Sequence, residues 1–281
     1  MPVDVIAGDD HNCEVLYRDE HVVAINKPSG LLVHRSPIDR HETRFAVQLV
    51  RDQIGQYVYP VHRLDKPTSG VLLFGLSTDA ARHLSEQFAT GRVHKRYLAV
   101  VRGHCPLAGR IDHPLTRELD PIADRPRLNK PDSELLPQAA VTHFSRLAQV
   151  EIPFAVERYP QTRYSLVMLR PETGRKHQLR RHLKHLGYPI IGDAKHGKGV
   201  HNRFFRSQYD CDRLLLACTS LVFTHPVSGQ GVALHARLDG AFERVLAAFE
   251  WSDSLPRSGQ AMLDVLAENY QGQTQKTSQG E

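Results

Sequence analysis

Short apolar segments separated by brief polar turns recur along most of this chain of 281 residues. Residues 22–26, 71–74 and 214–223 are examples, and their Val- and Leu-rich composition predicts strands rather than helices. A short turn at 226–231 joins the third segment to another of the same kind, so antiparallel neighbours are expected there. The chain is therefore expected to form a sheet with many short connections.

Helical periodicity is confined to residues 43–50, 78–88, 173–187 and 240–249. In the second of these segments Ala81, Leu84 and Phe88 recur at helical spacing, and Thr78 is the predicted N-cap. Helices and strands are interleaved irregularly, without the regular alternation of a doubly wound parallel sheet. The sequence predicts an α+β fold with a mixed, largely antiparallel sheet and flanking helices.

A single catalytic domain is predicted over residues 1–252, where neither a repeat nor a Gly/Ser linker marks a boundary. Within it, residues 105–138 contain six prolines with charged residues between them, and are expected to form a surface insertion outside the core. Residues 253–281 are expected to form a C-terminal extension that is disordered from about residue 271, because that part is polar.

Composition excludes several classes of protein. The N-terminus lacks the basic and apolar regions of a signal peptide, and no apolar run approaches the roughly 20 residues of a membrane span. The four cysteines form no C-x-x-C pair, so reduced thiols and a cytoplasmic protein are expected. The formal net charge of +5 permits a polyanionic partner.

The most basic segment is 173–187, which contains no acidic residue. Read as a helix, it would carry Lys176, His177, Arg180 and Lys184 on one face. Such a face is either the solvated side of an amphipathic helix or a phosphate-binding surface.

The spacing of candidate ligands predicts no metal site. The chain has 17 histidines, yet it contains no H-E-x-x-H motif and no Cys/His pairs with zinc spacing. Residues 192–199 nearly match a P-loop, but Gly199 stands where a magnesium-binding Ser or Thr is required. Neither a metal nor a nucleotide cofactor is therefore predicted.

Asp65 lies in a turn between Arg63 and Lys66, immediately before an apolar strand. The neighbouring cations are expected to keep its carboxylate ionised at neutral pH. An ionised carboxylate in this position is either a structural ion pair or a nucleophile, and the spacing alone leaves both open.

Four motifs occur in the order that is typical of one enzyme family. They are Asn-Lys-Pro-Ser-Gly-Leu at 26–31, His-Arg-Leu-Asp-Lys-Pro-Thr-Ser-Gly at 62–70, Lys-Arg-Tyr-Leu-Ala-Val at 95–100, and Gly-Arg-Lys-His-Gln-Leu-Arg at 174–180 with Pro-Ile-Ile-Gly-Asp at 189–193. On these motifs the chain resembles the RluA family of pseudouridine synthases over residues 16–238. Shorter stretches at 33–36, 50–56, 118–124 and 159–164 are similar to a branch of the family that modifies tRNA.

The resemblance implies that the chain isomerises a uridine in tRNA, in the acceptor/T-stem region, to pseudouridine without a cofactor. It implies that Asp65 is the nucleophile, which attacks C1′ or C6, and that Arg180 is its ionic partner. Tyr97 would pack on the target base and take the C5 proton. Arg63 would fill the gap left by the extruded uridine, and His62 of the same motif is also assigned to substrate binding.

Lys176 and Lys184 are assigned to phosphate contacts from their charge rather than from the resemblance. If Arg180 pairs with Asp65, then Arg63 is free to enter the RNA. The expected partner is tRNA, and a monomer without membrane, metal or nucleotide cofactor is expected.

Three alternatives remain open. The first is an rRNA-modifying relative with the same chemistry. The second is an RNA-binding or chaperone module without catalysis. The third is a two-carboxylate glycosidase, which would require a second acid close to Asp65.

Overall fold

A computed structural model describes residues 12–35, 41–116, 118 and 136–256. The strands are β1 (Glu14–Arg18), β2 (Val22–Lys27), β3 (Tyr59–Pro60), β4 (Ser69–Gly75), β5 (His94–Arg102), β6 (Ala108–Asp112), β7 (Val141–Ile152), β8 (Thr162–Pro171), β9 (Leu216–Thr224) and β10 (Gly231–His235). The helices are α1 (Ala46–Ile54), α2 (Thr78–Ala89), α3 (Gln178–His185), α4 (Gly199–Tyr209) and α5 (Gly240–Ala248).

All ten described strands belong to one sheet, in the order β1-β2-β4-β9-β5-β8-β7-β6, with β3 paired to β4 and β10 paired to β9. Every pairing is antiparallel except that of β4 with β9. The predicted α+β fold with a mixed, largely antiparallel sheet is confirmed. The parallel pair matters for the site, because it joins the start of β4 to the centre of the sheet.

The sheet buries apolar side chains on both faces. Leu98 and Val100 of β5 pack in one cluster with residues of α5, whereas Ala99 and Val101 pack in another with residues of α3. All seven residues of β4 are buried. A strand covered on both faces reads as a continuous apolar run rather than as an alternation, as residues 71–74 do.

Two predicted helix starts are wrong by a few residues. Ser77, not Thr78, caps α2, because its side-chain oxygen accepts a hydrogen bond from the backbone N–H of Ala80 at 3.2 Å. The first helix begins at Ala46 rather than at residue 43, and the helix α4 was not predicted.

The segment 105–138 requires a correction, because its described beginning is part of the core. β6 pairs with β7, and the side chains of Cys105, Ile111 and Leu115 are buried. Pro106 and Pro114 flank β6 and leave its ladder intact, so their presence did not exclude a strand. Residues 119–135 lie outside the described residues, as does the tail from residue 257 onwards for which disorder was predicted.

The four cysteines are free thiols and are buried, as expected for a reduced protein. Among the described residues, no helix has the length and apolar character needed to cross a bilayer.

Lys27 at the end of β2 is completely buried and holds the first motif against the second. Its ammonium group donates hydrogen bonds to the carbonyl oxygens of Pro28 at 2.8 Å, Leu31 at 2.8 Å and Lys66 at 3.2 Å. The Ser29 hydroxyl adds a bond to the Pro67 carbonyl at 2.8 Å. These bonds fix the backbone that follows Asp65.

We expect Lys27→Met to lower the free energy of unfolding by about 2–4 kcal/mol, because it leaves buried carbonyl oxygens without a donor. The measurement is the midpoint of urea unfolding. Lys198→Met is the matched control, since it makes the same substitution at a side chain that is 51% exposed and, among the described contacts, paired with Glu157. Equal shifts in the two variants would contradict this account of Lys27.

Candidate active site

A cavity of about 410 Å³ opens where the loop before β4, the start of β5 and the loop before α3 meet. Five of the residues predicted for the site line it, namely Arg63, Asp65, Tyr97, Lys176 and Arg180. Three separate motifs are thus brought together by the sheet. The fourth motif, at 26–31, does not line the cavity, but its Lys27 holds the backbone that follows Asp65.

Asp65 is held at the wall of the cavity by a turn. Its carbonyl oxygen accepts a hydrogen bond from the backbone N–H of Thr68 at 3.0 Å, and β4 begins at the next residue. Gly70 adopts φ +110°, and a Cβ there would lie 2.1 Å from the carbonyl oxygen of Cys218 on β9. Only glycine therefore permits the turn to lie this close to the centre of the sheet.

Arg180 on α3 is the ionic partner of Asp65. Its Nη1 donates to Asp65 Oδ2 at 3.1 Å, while its Nε and Nη2 donate to the two oxygens of Asp193 at 2.7 and 2.8 Å. Burial alone would lower the pKa of Arg180, but the two carboxylates outweigh this effect and raise it. The guanidinium is therefore fixed by one carboxylate and presented to the other.

Asp193 is itself buried and firmly held. Its Oδ1 also accepts hydrogen bonds from the backbone N–H groups of Lys195 at 2.9 Å and His196 at 2.8 Å. Burial would raise the pKa of this carboxyl group, but the hydrogen bonds from Arg180 and the backbone lower it. Asp193 is therefore an acceptor that orients Arg180 rather than a group that exchanges protons.

The helical interpretation of the basic segment was only partly correct. The helix α3 begins at Gln178, and His177 before it has a left-handed backbone with φ 55°. The predicted common face of Lys176, His177, Arg180 and Lys184 is therefore wrong. Arg180 points inward, whereas Lys176 lies exposed at the cavity mouth and Lys184 lies exposed on α3 without lining the cavity.

His177 contributes a neutral ring beside Asp65. Its Nε2 lies 3.8 Å from Asp65 Oδ2, and its Nδ1 lies 3.0 Å from His196 Nε2. Burial lowers the pKa of His177 well below its ordinary value, although Asp65 acts in the opposite direction. At neutral pH the charge facing Asp65 therefore comes from Arg180.

Tyr97 enters the cavity from β5, where it lies opposite Cys218 of β9. Its ring packs partly against two apolar clusters. Burial raises the pKa of Tyr97 well above its ordinary value, and a hydrogen bond with Cys218 acts in the same direction. The side chain is therefore a neutral phenol at neutral pH.

Arg63 is exposed at the cavity wall. Among the described contacts, no hydrogen bond or ion pair joins it to Asp65, which is paired with Arg180 instead. The expected separation of the two neighbouring side chains is therefore observed, and the Arg63 guanidinium is available to a ligand.

The assignment of His62 to substrate binding is corrected by its position. Its ring stacks on Phe88 with centroids 4.4 Å apart, and its Nε2 accepts a hydrogen bond from the backbone N–H of Leu73 at 3.0 Å. Burial lowers the pKa of His62 to about 3, so the ring is neutral. His62 does not line the cavity, and its hydrogen bond to Leu73 ties the loop before β4 to that strand.

Sequence reasoning did not identify the contacts of Asp193 with Arg180 or of His177 with Asp65. The Pro-Ile-Ile-Gly-Asp motif that ends at Asp193 was the available signal. The motif alone did not show that the Asp193 carboxylate contacts Arg180, because that contact depends on how the loop after α3 folds back.

Glu118, His177 and His196 form the group most similar to a metal site among the described residues, since their ligand atoms lie within 4.8 Å of one another. However, Glu118 is already paired with Lys195, and Arg181 lies 3.6 Å away from it. The two imidazoles are hydrogen-bonded to each other. Because cations surround the group, we interpret it as an ion-pair network at the cavity rim.

Comparisons with known proteins agree with this geometry. The sequence model for RNA pseudouridylate synthase matches residues 21–185. The chain is 52% identical to a protein of Yersinia pestis called tRNA pseudouridine synthase C, over 86% of this chain and 93% of that one. Proteins with the same name from Vibrio cholerae and Pectobacterium carotovorum are 50% and 55% identical, each over 86% of this chain. The matched part spans 98% of the first and 64% of the second.

Two solved structures have the same fold. Human RNA Pseudouridylate Synthase Domain Containing 1 aligns with a TM-score of 0.64 over 93% of this chain and 97% of that one, at 23% identity. Human RNA Pseudouridylate Synthase Domain Containing 4 aligns with a TM-score of 0.59 over 84% and 92%, at 25% identity.

Proposed function

The chain belongs to the RNA pseudouridylate synthase family, and from this we propose that it converts uridine to pseudouridine in tRNA. The reaction breaks the bond from N1 to C1′, forms a bond from C5 to C1′, moves the C5 hydrogen away and leaves N1 protonated. No atom is gained or lost, so the reaction is an isomerisation, and we propose that it proceeds without a cofactor. The observation that carries the proposal is the Asp65 carboxylate in a cavity beside Tyr97, held by Arg180.

We assign to Asp65 the role of nucleophile. An attacking carboxylate must be ionised and must face the substrate, and the bond from Arg180 supports both conditions. The Asp65 side chain is 19% exposed, so it is accessible from the cavity without being fully solvated. Attack at C1′ and attack at C6 both begin from this position.

The position of Asp65 argues against a two-carboxylate glycosidase. Among the described residues, Asp65 is the only acid that lines the cavity. Asp193 lies behind Arg180 and has no exposed side-chain surface. A second carboxylate for acid catalysis is therefore missing from this part of the chain.

Arg63 is proposed to occupy the space left in the RNA when the uridine enters the cavity. A base inside a helical stem must leave its stack to reach Asp65, at a cost of a few kcal/mol. A planar guanidinium stacks on the neighbouring bases and donates hydrogen bonds to them. Lys176 at the cavity mouth is proposed to contact a phosphate, and Lys184 remains a weaker candidate because it lies outside the cavity.

Tyr97 is proposed to pack on the uracil and to take part in removal of the C5 proton. Because the phenol is neutral, it accepts a proton only if its own proton leaves in the same step. We expect Tyr97→Phe to lower kcat by about 10²–10⁴-fold with little change in KM, since the ring remains and the hydroxyl is lost. Tyr97→Leu should raise KM as well. Single-turnover rates on a tRNA transcript measure both effects, and full activity of Tyr97→Phe would exclude a role for the hydroxyl.

The choice of tRNA over rRNA rests on the names of similar proteins. A uridine in the acceptor/T-stem region is the target that we propose from the resemblance of the motifs. A map of pseudouridines in RNA from cells with and without the gene tests it. We expect the loss of one site in tRNA. Loss of sites in rRNA alone would favour the rRNA-modifying alternative, and no loss in any RNA would favour the non-catalytic RNA-binding module.

The remaining proposals concern the protein as a whole. We propose that residues 1–252 form one catalytic unit, that the protein acts as a monomer and that it works in the cytoplasm, where tRNA is modified. Size-exclusion chromatography with light scattering measures the oligomeric state of the intact chain.

A further inference from the structure

A second cavity, of about 610 Å³, adjoins the active-site cavity at the end of the sheet where β5 begins and β8 ends. The two cavities share Lys95, Pro171 and Thr173 in their walls, so they lie side by side. No role in the reaction proposed above falls to the second cavity. Its walls are markedly basic.

Four basic residues occupy aligned positions across the sheet, and we call them the basic row: His235, Arg96, Arg170 and His143. Arg96, Arg170 and His143 line the second cavity, whereas His235 lies beyond Ser220 and outside it. Ser220 of β9 is the register partner of both His235 on β10 and Arg96 on β5. His143 on β7 is the register partner of Arg170 on β8.

The centre of the row is a pair of arginines. Continuing the register of β5 and β8 by one residue beyond the Tyr97–Leu169 pair brings Arg96 opposite Arg170. Directly opposed residues on neighbouring strands project to the same side of the sheet. The row therefore crosses five strands, which corresponds to roughly 19 Å at the usual strand spacing.

The two arginines lack a counter-charge. Among the described contacts, neither guanidinium has a hydrogen bond or an ion pair, and Arg170 is exposed. Burial lowers the pKa of Arg96, and the positive charge of Arg170 lowers it further. The nearest acid in this cavity, Glu172, is engaged by His143 at 2.5 Å.

Adjacent like charges without an acid raise the energy of the free protein, and a bound anion removes that cost. Two neighbouring guanidinium groups suit phosphate oxygens, because each presents several N–H donors in a plane. Because Arg96 and Arg170 line a cavity that adjoins the active site, the phosphates within their reach are those of an RNA bound there.

We propose that the basic row binds backbone phosphates of the RNA substrate outside the target nucleotide, and so determines the path by which the RNA leaves the active site. This inference rests on the proposed function, because it takes the RNA in the first cavity as its starting point. Phosphate contacts of this kind fix register and orientation rather than base identity.

The test compares Arg96→Gln/Arg170→Gln with the control Arg82→Gln/Arg203→Gln, which removes the same charge from exposed positions on α2 and α4. The dissociation constant of an unmodified tRNA transcript is measured between about 50 and 200 mM salt. We expect the first variant to bind the tRNA about tenfold more weakly at low salt. The slope of log K against log salt concentration should become shallower by about 1–2. The control should change little in affinity and in salt slope.

The thermal midpoint of Arg96→Gln/Arg170→Gln is measured as well. If the two arginines only stabilised the fold, the midpoint would fall, whereas the loss of repulsion between them should not lower it. If the double variant fails to fold, the single change of the exposed Arg170 to Gln serves the same comparison. An affinity and salt slope equal to those of the control would overturn the proposal. If the unchanged protein binds tRNA but forms no pseudouridine, the proposed function fails, while the comparison of affinities still decides whether the row binds RNA.

Discussion

Asp65→Ala should abolish pseudouridine formation, by roughly 10⁴-fold or more, because it removes the carboxylate that we propose as the nucleophile. The substitution should leave the fold intact. Asp65 lies in a turn at the cavity wall, and the two oxygens of Asp193 still hold Arg180 when the Asp65 carboxylate is absent. Turnover on a tRNA transcript and the dissociation constant for the same RNA are measured in parallel.

Asp65→Asn is the matched variant, since it keeps the shape and removes the charge. We expect it to be as inactive as Asp65→Ala, with RNA affinity within about threefold of the parent, because phosphate contacts supply most of the binding energy. If Asp65 were only an ion pair that stabilises the loop, both variants would retain turnover in proportion to their folded fraction. That outcome would show that Asp65 is not the nucleophile.

Arg180 is the second residue for which a large effect is expected. Arg180→Lys keeps the positive charge but cannot hold Asp193 through two bonds and Asp65 through a third at the same time. We expect kcat to fall by about 10²–10³-fold, which is the scale for loss of one oriented donor, with KM nearly unchanged. Steady-state kinetics on a tRNA transcript separates the two constants, and a change confined to KM would contradict the positioning role.

Arg180→Met should also lower the free energy of unfolding by about 3–5 kcal/mol, because it leaves Asp193 buried without a counter-charge. The double change Arg180→Met/Asp193→Asn removes both charges and keeps an oxygen that accepts the N–H groups of Lys195 and His196. We expect the double variant to recover stability without recovering activity. Recovery of both would mean that Arg180 contributes only to folding.

The fold class was predictable because its signals are local. The buried strand β4 and the helix α5 were visible in single stretches of apolar residues, and irregular alternation of strands and helices excluded a doubly wound sheet. The beginning of the segment 105–138 was misjudged because its prolines flank a strand rather than interrupt it. β6 pairs with β7, whose residues are distant in sequence, and local composition does not predict such a partner.

The sequence indicated which candidate residues would meet in one cavity, but not the contacts between them, and their catalytic roles stay predictions. The motifs identified Asp65, Tyr97 and Arg180, and the structure brings these three to one cavity. The orientation of His62 was misjudged, because membership of a motif does not determine which side of the chain a ring faces. Asp193 was missed as the anchor of Arg180 for a related reason, since the two residues are thirteen positions apart and meet only through the turn that follows α3.

The central claim is isomerisation of a tRNA uridine by Asp65 without a cofactor. The most direct measurement uses the purified protein, a tRNA transcript carrying tritium at C5 of its uridines, and a chelator in excess, with release of tritium as the readout. The account predicts release that reaches one equivalent per tRNA with the parent protein and none above background with Asp65→Ala. No release with the parent protein, or equal release with Asp65→Ala, would contradict it.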